Sequence, residues 1–346
     1  MRKIFFWLGT CFFSLSVSAC FAYITPGVSG TWDFGPGYRT DHLKWSIAGP
    51  PPANFPNVLT EVDWRQLQIA QVNVRGHLTA CDHVYARVNA DWGIIMQGEN
   101  NTTTFGANDQ ALQVSKFHST ANNGNVADLG GGLGVNFAPW RSGVEFAALI
   151  GYSFHQQRLR MENAIETFNI NPAVLGAIEG LKTSFLGRWD GPWVGMDFTF
   201  RPMCRVRVET GFEYHWLRYR SRGLWAINTC VNPGANFLNN YRQDANGTGQ
   251  TFFLGASYEL SPGWAFGFYG NVENFHTHRG IHRSVFCIQS GVQNTCCGPN
   301  QISLQSVNNL PLVDTTVGTL PITTNTRLNP VHWHSFSLMF QFEARF

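Results

Sequence analysis

The stretch Phe336-Ser-Leu-Met-Phe-Gln-Phe-Glu-Ala-Arg-Phe346 decides how the rest of the chain is read. Phe336, Leu338, Phe340, Phe342, Ala344 and Phe346 share one parity; Ser337, Gln341, Glu343 and Arg345 share the other. Successive side chains of a strand point to opposite faces, so this alternation predicts a strand with one apolar and one wet face. Working back towards the start, the same period recurs. Val206, Val208, Phe212, Tyr214 and Trp216 stand opposite Arg205, Arg207, Glu209, Glu213 and His215. Val84, Ala86, Val88, Ala90, Trp92 and Ile94 stand opposite Tyr85, Arg87, Asn89 and Asp91. In order, strands are expected within 27–47, at about 59–78, 83–98, 125–137, 143–160, 185–200, 205–222, 250–260 and 264–278, and finally at 332–346.

The connections alternate in length. Short ones fall at Thr79–Asp82, Ala138–Ser142, Arg201–Cys204 and Ser261–Gly263. Long ones span roughly 48–58, 99–124, 161–184, 223–249 and 279–331. Short turns on one side and long loops on the other, with an even strand count, are the pattern of transmembrane β-barrels. Composition agrees: 44% hydrophobic residues, 28 Phe, 12 Trp and 35 Gly accompany only 13% charged residues. An apolar outer face with aromatic girdles needs many rings and few charges. A formal net charge of +2 argues against a nucleic-acid partner.

At the amino end, Arg2 and Lys3 precede an apolar run over Ile4–Leu15 and then small residues in Ser16-Val-Ser-Ala-Cys-Phe-Ala22. This reads as a secretory signal over residues 1–22, leaving a single barrel domain over 23–346. Val17-Ser-Ala-Cys20 also has the form of a lipidation site at Cys20. A chain ending on an alternating strand with terminal Phe resembles the targeting signal of bacterial outer-membrane barrels, so the expected location is the bacterial outer membrane.

Val62-Asp-Trp-Arg-Gln-Leu67, Ala148-Leu-Ile-Gly-Tyr152, Trp193-Val-Gly-Met-Asp-Phe-Thr-Phe200 and Phe212-Glu-Tyr214 carry a family resemblance. With the strand order and loop lengths, they resemble the omptins, which are ten-stranded outer-membrane barrels. The pattern also looks closest to the Protochlamydia outer membrane protein family of chlamydia-related bacteria, thought to act as porins. The resemblance implies an all-β, ten-stranded antiparallel transmembrane β-barrel. Omptins are proteases whose site joins a pair of aspartates on one external rim to an Asp-Glu-His triplet on the facing rim. Here the loop after the third strand, Gly98-Glu-Asn-Asn-Thr-Thr-Thr-Phe-Gly-Ala-Asn-Asp109, has no paired aspartates, and Leu224 and Ala226 stand about where the triplet's Asp and His would fall. Neither half is present, so no catalytic residue and no enzyme activity is expected, and no cofactor.

The wet parity nominates a lumen lining of Arg75, Arg87, Asp91, Glu145, Asp197, Arg205, Arg207, Glu209, Glu213, Glu259 and Glu273. Charges of both signs inside a barrel are costly unless wetted or paired, so they either line a water path or plug it. Arg158, Arg160, Arg188, Arg218, Arg220 and Arg222 gather where three strands approach the external rim. They form a basic mouth with weak anion preference, or they meet lipopolysaccharide phosphates outside the barrel. His276, His278, His332 and His334 stand at adjacent strand ends, either as a metal site or as a polar girdle; no metal is expected. Cys81 and Cys204 in periplasmic turns, and Cys230, Cys287, Cys296 and Cys297 in external loops, are disulfide candidates in an oxidising compartment. Cys81 and Cys204 belong to turns that are not adjacent around the barrel, so their partners are expected on other molecules. The expected partners are outer-membrane lipid and lipopolysaccharide, with disulfide-linked envelope proteins or self-association. The reading is a porin passing small polar solutes or ions. A structural or adhesive disulfide-linked barrel is the alternative, and an omptin-like protease comes third.

Overall fold

A computed structural model describes residues 27–81, 83–137, 143–172, 175–178, 181–228, 236–287 and 322–346. Its strands are β1 (Val28–Ile47), β2 (Thr60–Ala80), β3 (Val84–Phe105), β4 (Gln113–Thr120), β5 (Gly124–Phe137), β6 (Val144–Leu159), β7 (Glu162–Asn169) and β8 (Gly176–Ala177). They continue as β9 (Leu181–Met203), β10 (Val206–Asn228), β11 (Asn236–Ser261), β12 (Trp264–Thr277), β13 (Gly280–Cys287), β14 (Ile322–Leu328) and β15 (His332–Arg345). Ten of them close into an antiparallel ring in the order β1, β2, β3, β5, β6, β9, β10, β11, β12 and β15, the last pairing back to β1. Closure leaves no unpaired edge within the ring, which is what lets strands cross a medium that offers no hydrogen bonds.

The expected ten strands match these ten in order. Each carries an outward apolar row: Trp32 and Phe34 on β1, Leu129 and Leu133 on β5, Phe252 and Leu254 on β11, and Phe336 to Phe346 along the end of the chain. Rings stack across neighbouring strands on this face, as between Phe34 and Phe342 at 5.9 Å. Inside, glycines make room for one large ring. A Cβ at Gly132 on β5 or Gly151 on β6 would run into the Trp193 indole, which lies against both strands. Gly130, against Asn89, and Gly132, against Trp193, therefore serve close packing in the lumen.

The long external connections differ from expectation. Residues 48–58 form a loop, but in the other four the described residues continue the sheet beyond the ring. β3 runs on to Phe105, β4 pairs with it, and β7 and β8 follow alongside. On the other side β10 and β11 extend as a hairpin, β13 pairs with β11, and β14 closes towards β1 through Ile47 and Leu328. A β-bulge near Gln66, where φ is +51°, separates the membrane part of β2 from its external part.

Candidate functional site

The lumen is crossed by ion pairs. Arg75 on β2 reaches Glu209 on β10, on the opposite side of the ring, at 2.7 Å. Arg87 on β3 joins Asp197 on β9 at 2.7 Å and also Glu213 on β10. Arg207 lies between Glu209 at 3.4 Å and Glu343 at 3.2 Å. Arg345 bonds Glu343 and, at 2.8 Å, Glu259. Rings hold the guanidinium planes in place. Arg75 lies 3.8 Å from the Tyr269 ring centre, and Phe253 receives Arg75 at 5.5 Å and Arg87 at 5.0 Å. Buried charges of this kind persist only where each is paired, since removing one partner leaves the other unpaired in a poor solvent.

A second network lies nearer the external end. Arg39 on β1 forms an ion pair with Asp41 at 2.7 Å and reaches Asp128 on β5. Gln157 on β6 donates to Asp41 at 2.6 Å, and His155 approaches Asp128 at 3.2 Å and Glu273 at 4.0 Å. Between the networks His215 bonds Glu213 at 2.9 Å and Ser153 at 3.1 Å, with Thr251 at 3.2 Å from the same ring nitrogen that faces Glu213. Ser153 and His215 are both buried.

Beyond Arg39 the lining turns apolar. Leu43, Trp64, Leu67, Ile69, Trp189 and Trp333 belong to one buried cluster that fills the external half of the lumen. Phe275 meets Trp333 edge-on at 4.8 Å, Trp189 meets Tyr219 at 4.7 Å, and Arg39 lies over Trp333 at 5.4 Å. Leu43, Phe275 and Trp333 are each 0% exposed, so rings and aliphatic chains seal the passage here.

The outer wall at this external level is polar. Arg158, Arg160, Arg188, Arg218, Arg220 and Arg222 are exposed there and alternate with lumen-facing Leu159, Trp189, Tyr219 and Ser221. One register row runs Arg158, Leu186, Arg222, Arg242 and Arg283 across β6, β9, β10, β11 and β13. Arg218 pairs with Asp244 at 2.7 Å and Arg220 with Asp190 at 2.5 Å. A recess of about 400 Å³ opens among Arg158, Arg160, Leu186, Arg222, Leu224 and Asn240.

The model of the Protochlamydia outer membrane protein family matches residues 33–346, nearly the whole chain. The chain belongs to that family. A family member of this architecture resides in the outer membrane, and the apolar outward band is its lipid face. The outer-membrane protease OmpT of Escherichia coli is similar in fold, with a TM-score of 0.66 at 9% identity, covering 94% of this chain and 98% of that one. The translocator domain of the autotransporter NalP of Neisseria meningitidis gives 0.32 at 11% identity, covering 96% and 92%. The toluene transporter TodX of P. putida gives 0.28 at 7% identity, covering 93% and 91%. No match is found among curated proteins.

Of the residues nominated for the lumen, Arg75, Arg87, Asp197, Arg207, Glu209, Glu213 and Glu273 meet in its networks, and Asp91 accepts a hydrogen bond from Asn73 at 2.8 Å. Glu259 pairs with Arg345 near the periplasmic end, and Glu145 pairs with Arg201 at 2.7 Å with both side chains partly exposed. Arg205 is a correction: it sits in the turn between β9 and β10 and is exposed, because the strand parity breaks before Val206. Asp33, Arg39, Asp41, Asp128 and His155 were not nominated, although their parity with the wet residues of β1, β5 and β6 marks them. The six external arginines share the parity of lipid-facing Phe154 and Trp216, so they stand on the wall's outside rather than in a mouth. Cys81 and Cys204 are free and exposed. Cys287 ends β13, while Cys20, Cys230, Cys296 and Cys297 lie outside the described residues, as does the expected signal segment 1–22.

Proposed function

We propose that the protein is an outer-membrane channel for ions and small polar solutes, with the crossing ion pairs as its filter. One observation carries the reading: Arg87 and Arg207 each stand between two carboxylates. Each can lean towards one carboxylate because the one it leaves keeps a second partner, Tyr85 at Asp197, His215 at Glu213, Arg75 at Glu209 and Arg345 at Glu343, which lowers the cost of opening a narrow water path. Ten strands lie between the eight that side chains fill and the sixteen of wide pores, so the conducting path is narrow. Omptin-type proteolysis is not carried over, because Leu224 and Ala226 offer no group to activate a water.

A closed structural barrel is the second reading, favoured by the apolar seal around Trp333. Planar-bilayer recording of the refolded protein separates the two. Discrete steps of small conductance support the channel; a silent bilayer supports the structural barrel; hydrolysis of a peptide library would restore the protease.

A further inference from the structure

Histidines gather on the outer wall where β12, β15 and β1 leave the lipid band. His276 on β12 pairs in register with His332 on β15, which pairs with Lys44 on β1; His334 pairs with His42. The rings lie close: His42 to His334 at 6.2 Å, His276 to His332 at 6.5 Å and His276 to His278 at 6.4 Å. All five face outward, sharing the parity of Tyr38, Val272 and Phe336. His334 is two positions external to Phe336, so the patch begins where the apolar band ends, at the depth of lipid headgroups.

Its charges are nearly balanced while the imidazoles are neutral. Around the patch, Lys44 pairs with Glu61 at 3.0 Å, and Asp63 is shared by Arg65 at 2.6 Å and His42 at 2.7 Å. From β11 Thr248 bonds His276 at 3.2 Å, and the nearest carboxylate on that strand, Asp244, is taken by Arg218. From β12 the neighbour is Asn274, and Arg279 follows His278 in sequence. Among the described residues, then, the carboxylates facing the patch already have partners, and His276, His278, His332 and His334 have none of their own. Among the described residues no group of three His, Cys, Asp or Glu side chains is arranged to hold a metal ion. Each proton it takes up adds uncompensated positive charge at the headgroup level.

We propose that this patch is a docking site for the phosphate of anionic membrane lipid that engages when its imidazoles are protonated. The arginine row is a separate patch, since Thr248, the β11 partner of His276, stands six residues from Arg242. Histidine is the side chain whose charge changes nearest neutrality; burial and the neighbouring imidazoles and Lys44 push the His332 pKa below its ordinary value, and burial and His42 push that of His334 below it, so these two charge only on the acid side. A positive charge near an anionic surface strengthens binding by about fivefold. The inference rests on the membrane placement of the barrel and not on conduction.

The test is binding of a fluorescent phosphatidylglycerol to the whole protein in neutral detergent micelles, at about pH 7.5 and about pH 5.5, with phosphatidylcholine as control. Wild type should bind phosphatidylglycerol about fivefold or more tightly at the lower pH, with phosphatidylcholine unchanged. The His276→Gln, His332→Gln, His334→Gln variant should lose the pH dependence. Arg222→Gln with Arg242→Gln should weaken binding at both pH values and keep it. Should the triple variant fail to show a heat-modifiable folded band, His332→Gln alone serves and should reduce the pH effect. A flat wild-type profile, or an unchanged rise in the histidine variant, overturns the proposal. If excess inorganic phosphate displaces the lipid at low pH, the ligand is free phosphate and the lipid assignment fails.

Discussion

Within single strands, the membrane half and the external half of the barrel are built with opposite polarity. On β10 the lumen parity carries Arg207, Glu209, Glu213 and His215, then Leu217 and Tyr219; the outward parity carries Phe212 and Trp216, then Arg218, Arg220 and Arg222. On β15 the outward Phe336 gives way to His334 and His332, while inward Ser335 gives way to Trp333. The backbone does not change face. What changes is the solvent outside the wall, from lipid to water, and the residue types on both faces exchange accordingly. The lower half is thus a lipid-soluble wall around an ionic core, and the upper half a water-soluble wall around an apolar one. The two cores close the same cross-section by different physics. Ion pairs can exchange partners and stay satisfied, whereas an aromatic seal opens only by exposing rings to water.

The comparison breaks most sharply if one core is emptied. Trp333→Ala should destabilise the folded barrel by about 3–5 kcal/mol, the usual cost of removing a buried large ring. Lipid-facing Phe340→Ala should cost clearly less, because lipid fills the space; urea midpoints of the two variants in the same bilayer measure the difference. Arg87→Gln should cost about 3 kcal/mol or more by taking the only guanidinium from Asp197 and Glu213, and adding Asp197→Asn and Glu213→Gln should recover most of it. If the triple variant is as unstable as the single one, the network is not what holds those strands in place.

The external half should also respond to pH on its own. His282 on β13 lies between Trp45 and Tyr241, with Gln243 and Ser284 as hydrogen-bond partners, and burial pushes its pKa down to about 4. The folded state keeps this imidazole neutral, while the opened state takes up a proton below the ordinary 6.5. Stability of the β11–β13 extension should therefore fall as pH drops from about 6.5 to about 4 and change no further below that. Amide exchange of β13 should accelerate over that window in wild type and not in His282→Gln. The smallest effect is expected at the exposed pair Arg218–Asp244, where solvent screens the charges and Asp244→Asn should leave the urea midpoint unchanged.

The ring strands were legible because one face of each meets lipid, which imposes strict alternation over eight or more residues, as in Phe336 to Phe346. The external extensions were not. Asn100-Asn-Thr-Thr-Thr104 on β3 continues as strand but meets water on its outer face and a packed sheet within, so its polarity does not alternate. Parity marked Arg75, Arg87, Arg207, Glu209 and Glu213, whose ion pairs cross between strands, and it misplaced Arg205, where the strand had ended. Which charges meet was not legible. Arg75 and Glu209 are far apart in sequence and meet only because ring closure sets β2 opposite β10. The same parity that marked the lumen also marked the external arginines as outward, through Phe154 and Trp216, once the exchange of polarity along the strand is recognised.

Single-channel recording of wild type and Arg87→Gln side by side tests the ion-pair filter most directly. Wild type should give small, infrequent steps and the variant larger or more frequent ones, because one crossing guanidinium no longer bridges β3 to β9 and β10. Silence from both proteins, or identical steps from both, would contradict it.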